Sequence, residues 1–114
     1  GKRVCVPSLR QNALSASELM AIKELNRKNK FGILEPAEIR EVRKEDIDMV
    51  IVPCVAFDRL HRRLGYGLGY YDAFLQGMKA KKVGLAFSLQ EADGIPTNEW
   101  DVRLDAIVTE KGIF

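Results

Sequence analysis

Residues 49–53 read Met-Val-Ile-Val-Pro, and the apolar run continues through Cys54, Val55, Ala56 and Phe57. A strand with one wet face alternates apolar and polar side chains. An unbroken apolar run is what a strand buried on both faces looks like, and such strands belong to parallel sheets flanked by helices. Pro53 lacks the N–H that a ladder needs, so regular pairing is expected to stop there. Cys54 to Phe57 then runs as a loop off the C-terminal end of the strand, the edge where open α/β sheets bind ligands.

What comes next fits a ligand. Asp58 to Leu64 is a basic loop, and glycines follow at alternate positions, Gly65, Gly67 and Gly69, then Tyr70, Tyr71 and Asp72. Tyr71, Phe74, Leu75 and Met78 stand at i, i+3, i+4 and i+7, one face of a helix, closed by Lys79, Lys81 and Lys82. Glycines let backbone N–H groups approach a ligand, and a helix N-terminus aims more of them at it. With Arg62 and Arg63 beside the loop and Asp72 in the first helical turn, the stretch suits a nucleotide phosphate and its metal ion. It is not the GxGxxG fingerprint, because Tyr70 stands where the third glycine is due, and no Gly-Lys-Ser/Thr follows to make a Walker A loop. A tight turn alone also explains glycines, but needs neither the arginine pair nor the tyrosines and acid.

Individual residues keep two readings. Asp72 either complements the helix dipole or binds magnesium, which takes one or two carboxylates plus phosphate oxygens; Asp101 or Asp105 would then be the second acid. Tyr71 belongs to the apolar helix face, whereas Tyr70 points elsewhere and can stack on a flat ring. Trp100 is either a core plug or a stacking ring. His61 is the only histidine, with no serine or cysteine nucleophile nearby, so a surface loop role is expected rather than a triad.

The rest of the chain is read as a strand at Lys2–Pro7, a loop at Ser8–Leu14, and a helix from a capping box at Ser15-Ala16-Ser17-Glu18 to about Asn26. A brief strand is expected at Ile39–Val42, a buried one at Val83–Phe87, a short turn or helix at Ser88–Asp93, and a last strand at Ala106–Thr109. That order predicts a three-layer α/β domain with a mainly parallel sheet, spanning residues 1–114 as one domain. At 114 residues and 46% apolar the chain can build one core. A net charge of +2, with basic residues scattered and no stacking motif among them, calls for no nucleic acid and no membrane partner. No apolar run approaches the roughly 18 residues of a span, and the start is unlike a signal peptide. Cys5 and Cys54 lie in apolar runs without a CxxC or Cys/His cluster, so buried free thiols in a reducing, cytoplasmic setting are expected over a disulfide or metal pair. The chain opens with Gly1 directly ahead of a strand-like segment, which predicts a fragment or processed chain.

Three stretches together resemble the 5-formyltetrahydrofolate cyclo-ligase family: VIVPCVAFDRLHRRLGYGLGYYDAFL from Val50 to Leu75, FGILEP from Phe31, and IPTNEWDVRLDAIVTE from Ile95. The resemblance covers nearly the whole chain. It implies a Rossmann-like, CoA-transferase-like fold and an ATP- and Mg2+-dependent cyclisation of 5-formyltetrahydrofolate to 5,10-methenyltetrahydrofolate. By motif, ATP would be lined by Arg63, Leu64, Gly65, Tyr66, Gly67, Leu68, Gly69, Tyr70 and Tyr71, with Arg63 and Tyr70 as the catalytic pair. Asp72 and Asp101 would hold the metal, and Glu35, Tyr70 and Tyr71 would bind the folate. Family members usually carry a helical segment before the first strand, so this chain is expected to be the C-terminal portion of a longer architecture, with a non-catalytic nucleotide- or folate-binding member as the alternative. The position before Asp101 is usually histidine in the family and is Trp100 here.

Overall fold

The computed structural model describes all residues, 1–114. Contacts within the chain divide it into two compact units, Gly1–Ile47 and Asp48–Phe114.

The first unit contains no α-helix. Strands β1 (Cys5–Arg10) and β2 (Ala13–Glu18) form an antiparallel hairpin in register Cys5↔Glu18 to Arg10↔Ala13. Its two-residue turn is Gln11-Asn12, both at positive φ (53° and 61°), the backbone that matches the twist of paired strands. Strands β3 (Leu25–Lys28) and β4 (Leu34–Pro36) pair antiparallel, and β5 (Glu41–Val42) adds to β2. The helix expected from Ser15 to Asn26 is therefore absent. The serines of the apparent capping box work across strands instead: Ser15 Oγ donates to Ser8 O, and Ser17 Oγ accepts from the Arg40 N–H. Glu18 pairs with Arg3 at 2.9 Å, and the only helical turn in this region is a 3-10 turn at Ile22–Glu24. Pro7 does not end β1 either. The sheet order is β1-β2-β5, so β1 is an edge strand, where a missing N–H costs no ladder bond.

The second unit is α/β. Strand β6 (Met49–Pro53) is followed by a small hairpin of β7 (Ala56–Phe57) and β8 (Arg63–Leu64), the glycine loop, helix α1 (Tyr70–Leu75), and β9 (Lys81–Leu85). After a 3-10 turn at Ser88–Gln90 come β10 (Ala106–Thr109) and β11 (Gly112–Ile113). The sheet order is β11-β10-β9-β6, with β6, β9 and β10 parallel and β11 antiparallel. The expected parallel pairing is thus present within a mixed sheet.

One face of this sheet carries the core. Val52, Gly84 and Ile107 share it by register. It packs so closely that a Cβ on Gly84 would lie 2.7 Å from Leu104 Cδ1 and 3.1 Å from Cys54 Sγ. The other face differs from expectation. β6 is an edge strand whose burial alternates: Val52 is fully buried, but Met49 and Ile51 are exposed, as is Leu85 on β9. Helix α1 is also shorter than its apolar spacing predicts. Gly77 at φ 69° turns the chain out of the helical region, so Met78 is buried beyond the helix end. No helix is long and apolar enough to cross a membrane. Both cysteines are free; Cys54 is buried and Cys5 half-buried.

Candidate functional site

The β7–β8 hairpin aims the chain into the glycine loop, and one residue shapes it. Asp58 is 2% exposed. Its Oδ1 accepts the N–H groups of Leu60 (3.0 Å) and Arg62 (3.1 Å); its Oδ2 accepts Arg62 Nε (2.7 Å) and the N–H of Ile95 (3.1 Å). Burial alone would push this carboxyl up, but the N–H groups of Arg62, Ile95 and Leu60 and the Arg62 guanidinium outweigh it and hold it below the usual range. Sequence reasoning passed over Asp58, because three of its four donors belong to a turn that no sequence pattern marks and the fourth, the Ile95 N–H, arrives only with the fold.

Arg63 lies beneath the loop. Its side chain is 6% exposed, its Nε donates to Pro53 O at 3.0 Å, and its Cζ stands 5.4 Å from the centre of the Tyr71 ring. Nη1 is 3.8 Å from Asp72 Oδ1. Gly65 makes room for this: a Cβ there would lie 2.6 Å from Arg63 Nη2. Gly67 and Gly69 serve the backbone, at φ 88° and 72°, a region that side chains other than glycine's disfavour. The N–H groups of Gly65, Tyr66, Gly67, Leu68 and Gly69 donate to no backbone acceptor, so the loop offers five donors in succession. With α1 only six residues long, an anion here would be met by the loop N–H groups rather than by a helix dipole.

Asp72 Oδ1 accepts the N–H of Val102 at 3.2 Å, and Gln76 Nε2 donates to Trp100 O at 2.9 Å. These two bonds fasten the Trp100–Val102 segment to α1, so Asp101 stands on the segment next to Asp72. Asp101 Oδ2 accepts the Asn98 N–H at 2.9 Å. Asp105, the other candidate acid, is committed elsewhere: it exchanges two hydrogen bonds with the Lys82 backbone where β9 and β10 begin to pair. No group of three or more His, Cys, Asp or Glu side chains is assembled. A cation here would have from the protein at most the Asp72 and Asp101 carboxylates and would complete its shell with phosphate and water, as magnesium can. They do not fit a metal held by protein alone.

Tyr71 is largely buried, and burial pushes its hydroxyl up while the Arg63 charge opposes the shift. Tyr70 opens α1, half-buried. Tyr66 and Leu68 project from the loop. Trp100 is 67% exposed and is no core plug. His61 holds φ 65° in the β7–β8 turn, with its ring 5.5 Å from that of Phe114.

Glu35 belongs to the first unit, where it is 1% exposed. Oε1 accepts from Ser8 Oγ and Arg27 Nη2; Oε2 accepts from the Leu9 N–H and Asn29 Nδ2, all within 3.2 Å. Burial would raise this carboxyl, yet the Leu9 N–H, Arg27, Asn29 and Ser8 together hold it low. Its lone-pair positions are all taken.

A model of the 5-formyltetrahydrofolate cyclo-ligase family matches residues 1–110. The 5-formyltetrahydrofolate cyclo-ligase of Escherichia coli K12 is 36% identical over 123 residues, an alignment taking in 100% of this chain and 66% of the relative. That of Saccharomyces cerevisiae is 36% identical over 105 residues, covering 84% of this chain and 49% of the relative. Among solved structures, the NMR structure of Aquifex aeolicus 5,10-methenyltetrahydrofolate synthetase superposes with a TM-score of 0.84 at 40% identity, over 98% of this chain and 57% of that one. The 5,10-methenyltetrahydrofolate synthetase of Mycoplasma pneumoniae gives 0.71 at 27% identity, over 92% and 54%. The chain spans 66% or less of the length of each of these proteins.

Proposed function

We infer the function from one premise: the chain belongs to the 5-formyltetrahydrofolate cyclo-ligase family. On this reading the glycine loop binds ATP, and the reaction is the Mg2+-dependent cyclisation of 5-formyltetrahydrofolate to 5,10-methenyltetrahydrofolate, with release of ADP and phosphate. The observation that carries it is the run of five N–H groups without a backbone acceptor from Gly65 to Gly69, with the Arg63 guanidinium against Gly65 and Asp72 3.8 Å from Arg63. The second unit is then a Rossmann-like layer structure. Two free thiols support a reducing, cytoplasmic setting.

The chemical problem is that a formyl oxygen is a poor leaving group. Transfer of the γ-phosphoryl group of ATP to that oxygen makes it a good one. Nitrogen-10 then attacks the formyl carbon and gives up its proton to solvent, the C–O bond breaks, and phosphate departs. Phosphoryl transfer asks the protein chiefly for positioning and charge neutralisation. The N–H groups of Gly65 to Gly69 hold phosphate oxygens. Arg63, fixed by Pro53 O, brings a permanent positive charge to the underside of the loop. Tyr71 stays protonated in its buried setting and so remains a donor, and Tyr70 faces the folate. Asp72 and Asp101 each keep one oxygen clear of the hydrogen bonds described above, and these would hold magnesium. The ion supplies charge neutralisation on the phosphate oxygens. Glu35 contributes to folate binding by exchanging one of its four donors for a substrate N–H. Arg27, whose side chain is the exposed partner, is the one able to leave.

The test is ADP release by the purified chain with and without 5-formyltetrahydrofolate, alongside appearance of the methenyl product. Turnover that needs both substrates and magnesium is expected. Trp100, at a position where the family usually has histidine, favours a second reading, a non-catalytic nucleotide- and folate-binding member. ATP binding without turnover is its signature.

A further inference from the structure

We propose that Trp100 is the stacking platform for the reduced pterin ring of the folate substrate. The inference rests on the ATP and folate reading above and deepens it by assigning a residue on which the flat part of the substrate lies. A single exposed aromatic is ordinary on a protein surface, but three observations set this one apart.

The first is rigidity without burial. Trp100 N–H donates to Asn98 Oδ1 at 2.9 Å, and Trp100 O accepts from Gln76 Nε2 at 2.9 Å. The turn is closed again by the Asn98 N–H on Asp101 Oδ2 and the Asp101 N–H on Asn98 O. Four hydrogen bonds thus hold the backbone of a residue whose side chain remains 67% exposed. A ring carried on a fixed backbone loses little freedom when something stacks on it, which is why rigid aromatic residues make good anchors.

The second is position. Trp100 immediately precedes Asp101, and the Val102 N–H binds Asp72. Trp100 is therefore carried on the same short segment as Asp101, fastened beside Asp72, and these are the two carboxylates assigned to the metal. The third is the chemistry of the two ligands. In 5-formyltetrahydrofolate the acceptor oxygen is separated from the pterin ring by one carbon on nitrogen-5. The adenine of ATP is separated from the γ-phosphate by two phosphates and a ribose. A ring next to the metal carboxylates meets the pterin before it meets the adenine.

Trp100 is the only tryptophan in the chain, so its fluorescence reports on this one position without catalysis. The experiment titrates the chain separately with 5-formyltetrahydrofolate and with MgATP, following tryptophan emission corrected for folate absorbance. Calorimetric affinities are measured in parallel for the wild type, Trp100→Phe and Trp100→Ala. The expected result is quenching by the folate, a loss of about tenfold or more in folate affinity in Trp100→Ala, substantial retention in Trp100→Phe, and MgATP affinity unchanged in both. Wild-type folate affinity in Trp100→Ala overturns the proposal. So does a loss confined to MgATP, or an equal loss of both ligands. A wild-type chain that binds neither ligand removes the functional reading itself, and this inference with it.

Discussion

An alanine at position 65 would put its Cβ against the Arg63 guanidinium, whereas at position 67 it would meet no atom within 4 Å but would sit at φ 88°. The two substitutions should therefore fail differently. Gly65→Ala is expected to leave stability within about 0.5 kcal/mol of wild type, because the flexible end of Arg63 can shift, while ATP affinity falls as that charge moves. Gly67→Ala should cost roughly 1–2 kcal/mol of folding stability from backbone strain. Denaturant melts and ATP calorimetry on both variants check the contrast. Asp72→Ala should weaken ATP binding by about tenfold or more in magnesium and much less in EDTA, with the melt little changed; equal affinities in both buffers would remove the metal role. Much at this scale was legible in the sequence. Arg63, the glycines and Asp72 lie within one stretch, so local spacing was enough to group them, whereas Arg62 is drawn away from the loop by its pairing with Asp58. Two reasons why a glycine is needed, space for Arg63 at Gly65 and positive φ at Gly67 and Gly69, look identical in a sequence.

At the scale of elements, the β7–β8 hairpin depends on the Asp58 carboxylate. Its folded pKa lies below the ordinary value of about 3.9. The stability it contributes is thus present above that value and is lost as pH falls through the depressed folded pKa. Glu35 acts in the same direction in the first unit. Melts should hold steady from neutral pH down to about pH 5 and then lose stability on further acidification. Asp58→Asn should lose about 1–3 kcal/mol at pH 7, because an amide nitrogen would face the Ile95 N–H or the Arg62 guanidinium, and its stability should depend less on pH below 4. A variant with the wild-type acid limb would show that other groups carry it. Elements were read with mixed success, for physical reasons. Ser15 to Glu18 carries a local capping pattern, but tertiary pairing with β1 and β5 prevailed. The turn that makes the hairpin, Gln11-Asn12, has no glycine to mark its two positive φ angles.

On the scale of the whole molecule, the apolar run at Met49–Pro53 correctly pointed to a parallel sheet but misjudged its cover. Met49, Ile51 and Leu85 face water on one side of that sheet. Such a surface should bind the dye ANS in the native state, and Ile51→Thr should reduce that binding while changing stability by about 0.5 kcal/mol or less. Unchanged dye binding would place the sticky surface elsewhere. The packing under the opposite face has a practical consequence. Cys54 Sγ rests where Gly84 lacks a side chain, close to Arg63 under the glycine loop, and burial keeps its thiol up and unreactive. A thiol reagent can reach it only when the end of β6 opens. The rate of labelling at Cys54 is then a stopwatch for local opening at the loop, and a ligand that clamps the loop should slow it, whether or not any product is made.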